Sequence, residues 1–246
     1  MRILCLSSIL FLFLVDVAVS QQNSLENVLR LNTAALGGKE AIEKIQSVEI
    51  KLTIQEPAFT VDAVYVADRK IRMRIDVYSG GKRVFTEAFD GKNGWQMGDD
   101  GVAKDASPEG TAALRAGIFM PGKFFGLYEL PAYGHSIAYN GRKEIEKISY
   151  HVLKLKLDHG KETFLYIHPE SGLVERKRDA KALHPDMDAT IKQIESVDSD
   201  FRKVAGTVRS FKSTDRDLNT GEIIQTTAIK EIKINPDLQD SLFRKP

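Results

Sequence analysis

The stretch that decides the fold is Val48-Glu49-Ile50-Lys51-Leu52-Thr53-Ile54, in which apolar and polar side chains strictly alternate. Alternation with a period of two places every second side chain on the same face of a β-strand. Similar alternation recurs in residues 59–65, 71–77 and 153–157, and Gly80-Gly81 turns the chain into a further strand at residues 83–89. The pattern predicts an antiparallel meander with one apolar face and one charged face.

Helical patterns replace the alternation at two places in the chain. Leu25, Val28 and Leu29 form an apolar stripe that stops at Gly37-Gly38, and a second short helix is predicted over residues 39–46. Residues 107–131 predict two further short helices, inserted between the strands. About ten strands in one sheet must curl, and their apolar face needs a cover.

We therefore expect an α+β fold that is mainly antiparallel β. It is a curved sheet, or half-open β-barrel, with helices covering the concave face. Residues 21–246 are predicted to form a single domain, with lid helices around 107–131.

The first twenty residues have the pattern of a cleaved signal peptide. Arg2 precedes an almost unbroken apolar run from Ile3 to Val15, and Ala18-Val19-Ser20 fits a cleavage site. The one cysteine of the chain, Cys5, lies inside this run. The expected product is therefore exported and free of disulfides.

Charge and motifs argue against several classes of function. Lys and Arg number 35 against 34 Asp and Glu, so the broad basic surface of a nucleic-acid-binding protein is not expected. The five histidines lack metal-ligand spacing, and no nucleophile elbow or phosphate loop occurs. We expect no catalytic residue, no metal ion and no cofactor, and therefore not an enzyme.

The lid segment indicates a cavity, because large and deformable side chains are interspersed there with glycine and proline. Plain core packing is the alternative explanation for each of these residues. The residues predicted to line an apolar cavity are Ile50, Leu52, Phe59, Tyr65, Met73, Ile75, Trp95, Met97, Phe119, Met120, Phe124, Phe125 and Tyr128.

Three short motifs resemble those of the LolA/LolB-like family, the lipoprotein localisation factors of Gram-negative cell envelopes. Residues 65–69, followed by Arg72 and Arg74, resemble the hairpin between the family's second and third strands. Residues 90–95, Asp-Gly-Lys-Asn-Gly-Trp, resemble its turn, and residues 234–243 resemble its closing strand and terminal Phe.

The resemblance implies a half-open barrel that binds lipoprotein acyl chains or lipid and carries them through the periplasm towards the outer membrane. Arg69 is the nearest match to the arginine that holds the family's lid closed, although the proline that follows it there is missing here. Arg69, Arg72 and Arg74 are the expected lid latch or headgroup contacts, and a solvated outer face is the alternative. Envelope proteins of the inner and outer membranes are the expected partners of a monomer. The alternative function is a non-catalytic, protein-binding envelope module with a packed interior.

Overall fold

The computed structural model describes residues 24–120 and 124–246, so the predicted signal peptide lies outside the described residues. Within them, one antiparallel sheet contains thirteen strands. They are β1 (Ser47–Glu56), β2 (Phe59–Asp68), β3 (Arg72–Ser79), β4 (Lys82–Phe89), β5 (Gly94–Met97), β6 (Ala103–Asp105), β7 (Ser136–Ile145), β8 (Ile148–Lys156), β9 (Glu162–Ile167), β10 (Val174–Lys181), β11 (Lys192–Val204), β12 (Thr207–Asp217) and β13 (Ile223–Ile234). The helical elements are α1 (24–35), α2 (Lys39–Glu43), α3 (Pro108–Phe119) and the 3₁₀ helices Leu127–Tyr133 and Asp240–Leu242.

The strand order is β6-β5-β4-β3-β2-β1-β13-β12-β11-β10-β9-β8-β7. The sheet is curved. It is also unclosed, because its two edge strands, β6 and β7, lie at opposite ends of this order and do not pair with each other. The chain passes from one edge to the other through α3 and the 3₁₀ helix Leu127–Tyr133, which together we call the lid. The expected fold class is confirmed: a mainly antiparallel, curved sheet with helices on its concave side.

The hydrophobic core lies between the concave face and the lid. The alternation of β1 puts Ile50 and Leu52 into this core, whereas Lys51 between them is exposed. Phe119 at the end of α3 and Leu155 on β8 belong to the same buried cluster. Burial of these side chains stabilises the cover on the sheet by roughly 1.5–3 kcal/mol for each large residue.

The start of α3 follows from its first residues. The Ser107 hydroxyl accepts a hydrogen bond from the Gly110 N–H at 2.9 Å, which caps the helix, and Pro108 occupies the first helical position. Proline fits there because the N–H that it lacks has no partner within the helix. The lid therefore begins where the sequence predicts it.

Helix α1 is fixed to the far half of the sheet by close backbone contacts. Gly37, with φ +106°, ends the α1 turn, and a Cβ at this position would lie 2.2 Å from the Gly206 carbonyl oxygen. The Asn32 side chain donates a hydrogen bond to the Gly172 carbonyl at 2.8 Å. Glycine is therefore required at position 37 both for its conformation and for its lack of a side chain.

The sequence predicts fewer strands than the structure contains. The short strand β6 and the edge strand β7 have too few alternating apolar residues to be recognised from the pattern. The hairpin between β11 and β12 turns at Ala205-Gly206. The two strands β6 and β7 belong to the sheet because they pair with β5 and β8, not because of their side-chain pattern.

Candidate functional site

A cavity of about 440 Å³ lies between α3 and the concave face of the sheet. Its size is within the range of small-molecule pockets, roughly 300–1,000 Å³. One wall is apolar and comes from β1, β13 and α3. The apolar wall consists of Ile50, Leu52, Ile229, Ala113, Ala116, Gly117 and Met120.

The opposite wall is polar, and it comes from β9, β10, β11 and β12. Residues that pair directly across neighbouring strands share a face of the sheet. Lys177 pairs with Leu165 and Ser196, and Asp179 pairs with Thr163, so the polar side chains face the same space as the core leucines. We call this the polar wall. Its charged members are Lys161, Lys177, Asp179, Lys181, Asp198, Lys212 and Asp215.

Ion pairs connect the charged side chains of the polar wall. Lys177 Nζ lies 2.5 Å from an Asp198 oxygen, and Lys161 Nζ lies 3.1 Å from an Asp179 oxygen. Lys181 Nζ approaches Asp179 at 3.7 Å. The Asp179 side chain is 6% exposed, but those of Lys161 and Lys181 are 24% and 27% exposed. The ammonium groups are therefore the more accessible part of the wall.

Thr163 lies between the apolar core and the charged part of the polar wall. It pairs with Leu155 on one side and with Asp179 on the other, and its residue is 1% exposed. Among the described residues, no hydrogen-bond partner exists for its buried hydroxyl oxygen. A buried hydroxyl without a partner is uncommon, and each such group calls for an explanation.

The loop between β10 and β11 closes one end of the cavity. Ala182 and Leu183 line the cavity, and an Asp186 carboxylate oxygen accepts a hydrogen bond from the Ser107 N–H at 3.2 Å, next to the start of α3. Burial raises the pKa of Glu87 nearby, and Asp186 acts in the same direction. This loop links the polar wall to the lid.

Arg69 ties the lid to the opposite half of the sheet. Its guanidinium donates hydrogen bonds to Glu129 Oε1 at 2.8 Å and to the carbonyl oxygens of Ile45 at 2.6 Å and Ile42 at 2.9 Å. It also lies 5.0 Å from the centre of the Phe125 ring. The second Glu129 oxygen accepts from the Gly126 N–H at 2.7 Å. Arg69 thus occupies the position that a lid latch requires, and its role as one stays a prediction.

Tyr128 lies at the outer surface of the lid and not in the cavity. Its hydroxyl donates a hydrogen bond to Glu43 at 3.0 Å, and Lys39 Nζ lies 4.9 Å from its ring centre. Burial, together with the nearby carboxylates, raises the pKa of the Tyr128 phenol. Tyr128 therefore connects the lid to α2.

The predicted lining residues occupy several different environments. Ile50, Leu52 and Met120 line the cavity. Phe59 is 44% exposed at the start of β2. Others lie in the core beneath the lid or pack against it, and these are Tyr65, Met73, Ile75, Phe119, Phe124 and Phe125.

Trp95 and Met97 correct the expectation of a lining role, because they belong to a separate cluster. The Trp95 indole N–H donates a hydrogen bond to the Phe243 carbonyl at 2.8 Å, under the C-terminal segment. A Cβ at Gly94, one residue earlier, would point at Thr111 of α3. Because strand side chains alternate, Trp95 faces away from the lid.

Arg72 and Arg74 lie on the same outer face as Trp95. Arg72 pairs with Asp68 at 2.5 Å and with Asp240 at 2.8 Å, and Arg74 pairs with Asp76 at 2.8 Å. Both side chains are mostly buried and hold the C-terminal segment against the sheet. None of these contacts is with the lid, and the expected role of Arg72 and Arg74 as a latch or headgroup contact stays a prediction.

A second, much smaller cavity of about 30 Å³ lies beside Phe124 and Phe125. Arg209 borders it, and burial, together with the nearby charge of Arg69, lowers the pKa of Arg209 to about 10. Asp198 and Ser210 line both cavities, so the two spaces adjoin.

Sequence reasoning missed the polar wall. The available signal was in β10, where residues 175–179 are all charged. A strand with five consecutive charged residues cannot present an apolar face, so part of the concave surface had to be polar. Neither a group of three or more metal-ligating side chains nor a helix able to span a membrane occurs within the described parts of the chain.

Comparison with known proteins identifies solved structures that share this fold. No protein-family model matches the sequence, and no curated protein matches it significantly. Among solved structures, a LolA superfamily protein from Nitrosomonas europaea matches with a TM-score of 0.57 at 12% identity, over 89% of this chain and 97% of the other.

Two further structures match in the same way. A DUF1329 family protein from Desulfovibrio piger has a TM-score of 0.57 at 9% identity, over 89% and 96% of the two chains. A domain described as an outer membrane lipoprotein-sorting protein, from Vibrio parahaemolyticus, has a TM-score of 0.55 at 7% identity, over 88% and 94%. The chain therefore has the LolA-like fold.

Proposed function

We propose that this protein is an exported, periplasmic carrier that shelters acyl chains of lipid or of lipoproteins, without catalysing a reaction. The observation that carries the proposal is the cavity between α3 and the concave face, with an apolar wall of sheet and lid residues. Transfer of an acyl chain from a membrane into water costs about 0.8 kcal/mol for each CH₂ group. A carrier must offset most of that cost, and an apolar wall under a lid provides the means.

The Arg69 contacts support a lid that closes over a ligand. Arg69 and Glu129 are 15% and 13% exposed, so their ion pair is largely shielded from water. It joins the loop after β2 to the lid, next to the Arg69 contact with the Phe125 ring. A latch of this kind holds the lid in one position while leaving α3 to adjust to the ligand.

The proposed location and partners rest on the signal-peptide pattern of residues 1–20 and on the shared fold. One structure with this fold is described as an outer membrane lipoprotein-sorting domain. We propose that the protein receives its cargo from, and passes it to, envelope proteins of the inner and outer membranes. The alternative of a protein-binding module with a packed interior is disfavoured by the 440 Å³ cavity.

The first experiment is native mass spectrometry of the purified protein, followed by organic extraction and lipid analysis. The proposal expects a bound acyl species at near-stoichiometric level, or saturable binding of a fluorescent fatty-acid probe. A protein that carries no lipid and does not bind the probe would refute the carrier proposal and favour the protein-binding alternative.

Gly117 offers a matched pair of variants for locating the ligand. A Cβ added at Gly117 would meet no described atom within 4 Å, so the position opens into the cavity. Gly117→Phe should fill the cavity and abolish probe binding. Gly117→Ala should leave binding unchanged and, because alanine favours helices, stabilise the protein by up to about 1 kcal/mol. Equal probe binding by both variants in folded protein would place the ligand elsewhere.

A further inference from the structure

The polar wall makes this cavity unsuited to an acyl chain alone. Polar and charged side chains of the β9 to β12 region line one side of the cavity, and the apolar wall lines the other. A purely apolar ligand would leave the ammonium groups of Lys161 and Lys181 facing hydrocarbon, and desolvating such charges without compensation is costly. The ligand that fits both walls has an apolar part and a polar part.

The net charge of the cavity lining indicates the charge that the polar part of the ligand carries. Three lysines of the polar wall pair with its three aspartates, and a fourth lysine, Lys212, also lines the cavity. Among the described residues, no carboxylate lies within ion-pair distance of Lys212. The lining therefore carries a net charge of +1, which favours an anion over a cation or a neutral group.

Hydrogen-bond capacity leads to the same conclusion. An ammonium group has three N–H donors and no acceptor. Lys161 has one carboxylate within hydrogen-bond range, Asp179 at 3.1 Å, so donors remain on its more accessible side. Oxygen atoms of a phosphate or carboxylate are the acceptors that form the strongest hydrogen bonds with such donors.

Thr163 fixes where the polar part would lie. Its hydroxyl is buried on the lining and has no partner among the described residues, so a ligand atom that hydrogen-bonds to it satisfies it. It lies two residues after Lys161, which directly precedes β9, and opposite Asp179. On its other side is Leu155, in the apolar core. Thr163 thus marks the boundary between the two parts of the ligand.

We infer that the cavity binds an amphiphile head-first, with one anionic head group, a phosphate or a carboxylate, on Lys161, Lys181 and Thr163 and its acyl tail along the apolar wall. This inference rests on the proposed carrier function and narrows its ligand to acyl chains with an anionic head.

The test compares three probes by isothermal titration calorimetry: oleoyl lysophosphatidate, an oleoyl monoglyceride with the same tail but a neutral head, and inorganic phosphate. The lysophosphatidate should bind at least about tenfold more tightly than the monoglyceride, since hydrogen bonds to charged groups are among the strong ones. Inorganic phosphate should bind much more weakly than the lysophosphatidate, because it lacks the tail.

Variants then assign the head-group contacts. Thr163→Val has nearly the same shape, and Lys161→Gln removes the charge while keeping a polar, slightly shorter side chain. Each substitution should weaken the binding of lysophosphatidate about tenfold and leave the affinity for the monoglyceride almost unchanged. Thr163→Ser, which restores a hydroxyl, should recover the affinity. Lys230→Gln, which removes an exposed lysine that pairs with Asp62, is the control and should change neither.

The outcomes separate this inference from the function on which it rests. Equal affinity for the two oleoyl probes would overturn the head-group inference and leave the carrier proposal standing. Failure of both oleoyl probes to bind would overturn the carrier proposal as well. If inorganic phosphate binds as tightly as lysophosphatidate, the cavity is a site for a free anion, and the inference that its ligand is an amphiphile is overturned.

Discussion

Replacement of Glu129 by glutamine tests the latch directly, because it removes one charge and changes almost no volume. Glu129 forms two hydrogen bonds, one from Arg69 at 2.8 Å and one from the Gly126 N–H at 2.7 Å. Glutamine has one side-chain oxygen, so at most one of these bonds survives, and it is weaker because its acceptor no longer carries a charge.

The expected loss of stability follows from these two bonds. Hydrogen bonds that involve a charged group contribute about 1.5–3 kcal/mol, and those between neutral groups about 0.5–1.5 kcal/mol. One bond that is lost and one that is weakened therefore cost about 2–3 kcal/mol in total. The Arg69 guanidinium also keeps its hydrogen bonds to the carbonyl oxygens of Ile45 and Ile42. These bonds limit the free-energy cost of leaving the guanidinium without a carboxylate partner.

Urea unfolding of Glu129→Gln and of the unchanged protein measures this loss. Glu40→Gln is the matched control, because Glu40 pairs with Lys44 at 2.6 Å while both side chains are highly exposed, at 84% and 71%. Exposed pairs of this kind contribute little, so the control should show no measurable change. Amide hydrogen exchange in residues 124–133 should become faster in Glu129→Gln alone. Equal stability of the two variants, with unchanged exchange, would refute the latch argument.

Three further predictions concern other parts of the molecule. Phe243→Ala should lower the free energy of unfolding by about 3–5 kcal/mol, because the Phe243 ring is fully buried. It should also shift the fluorescence emission of Trp95 to the red, because the Trp95 indole is hydrogen-bonded to the Phe243 carbonyl. An unchanged emission maximum would show that the C-terminal segment does not shield the indole. Burial lowers the pKa of His135, so the unfolded chain binds a proton near pH 6.5 that the folded chain does not. Stability should therefore fall as the pH drops below about 6.5, and urea unfolding of His135→Gln at several pH values should show a smaller fall. Gly37→Ala should lower the melting temperature of the protein more than Gly38→Ala does. Both glycines have positive φ, but at Gly37 the new Cβ would also collide with the backbone of Gly206. Similar melting temperatures for the two variants would contradict the close contact at Gly37.

Much of the fold was predictable because strands and helices have different apolar periods. The alternation in β1 and β3 fixed which side chains enter the core, and Ser107-Pro108 fixed the start of α3. The edge strand β7 was not predictable, since a strand paired on one side has no need for a regular apolar face. Its place in the sheet depends on its pairing with β8.

The candidate site was predictable in part. Ile50, Leu52 and Met120 line the cavity, and their contact with a ligand stays a prediction. Trp95 has the same apolar character, but a local pattern does not tell which face of the sheet the C-terminal segment covers. The strand face of Trp95 is therefore decided by contacts with Phe243, about 150 residues further along the chain.

The sequence by itself determined a curved antiparallel sheet, two covering helical segments and the arginine-bearing hairpin, because each depends on neighbours within about ten residues. The tertiary structure alone decided that Lys161, Thr163, Lys177 and Asp198 share a wall, since these residues lie on, or directly before, three strands and meet through strand register. It also decided that Arg69 reaches Glu129, sixty residues away, while Arg72 and Arg74 do not reach the lid. Register and crossing connections are properties of the whole chain, and the physical chemistry of the cavity follows from them.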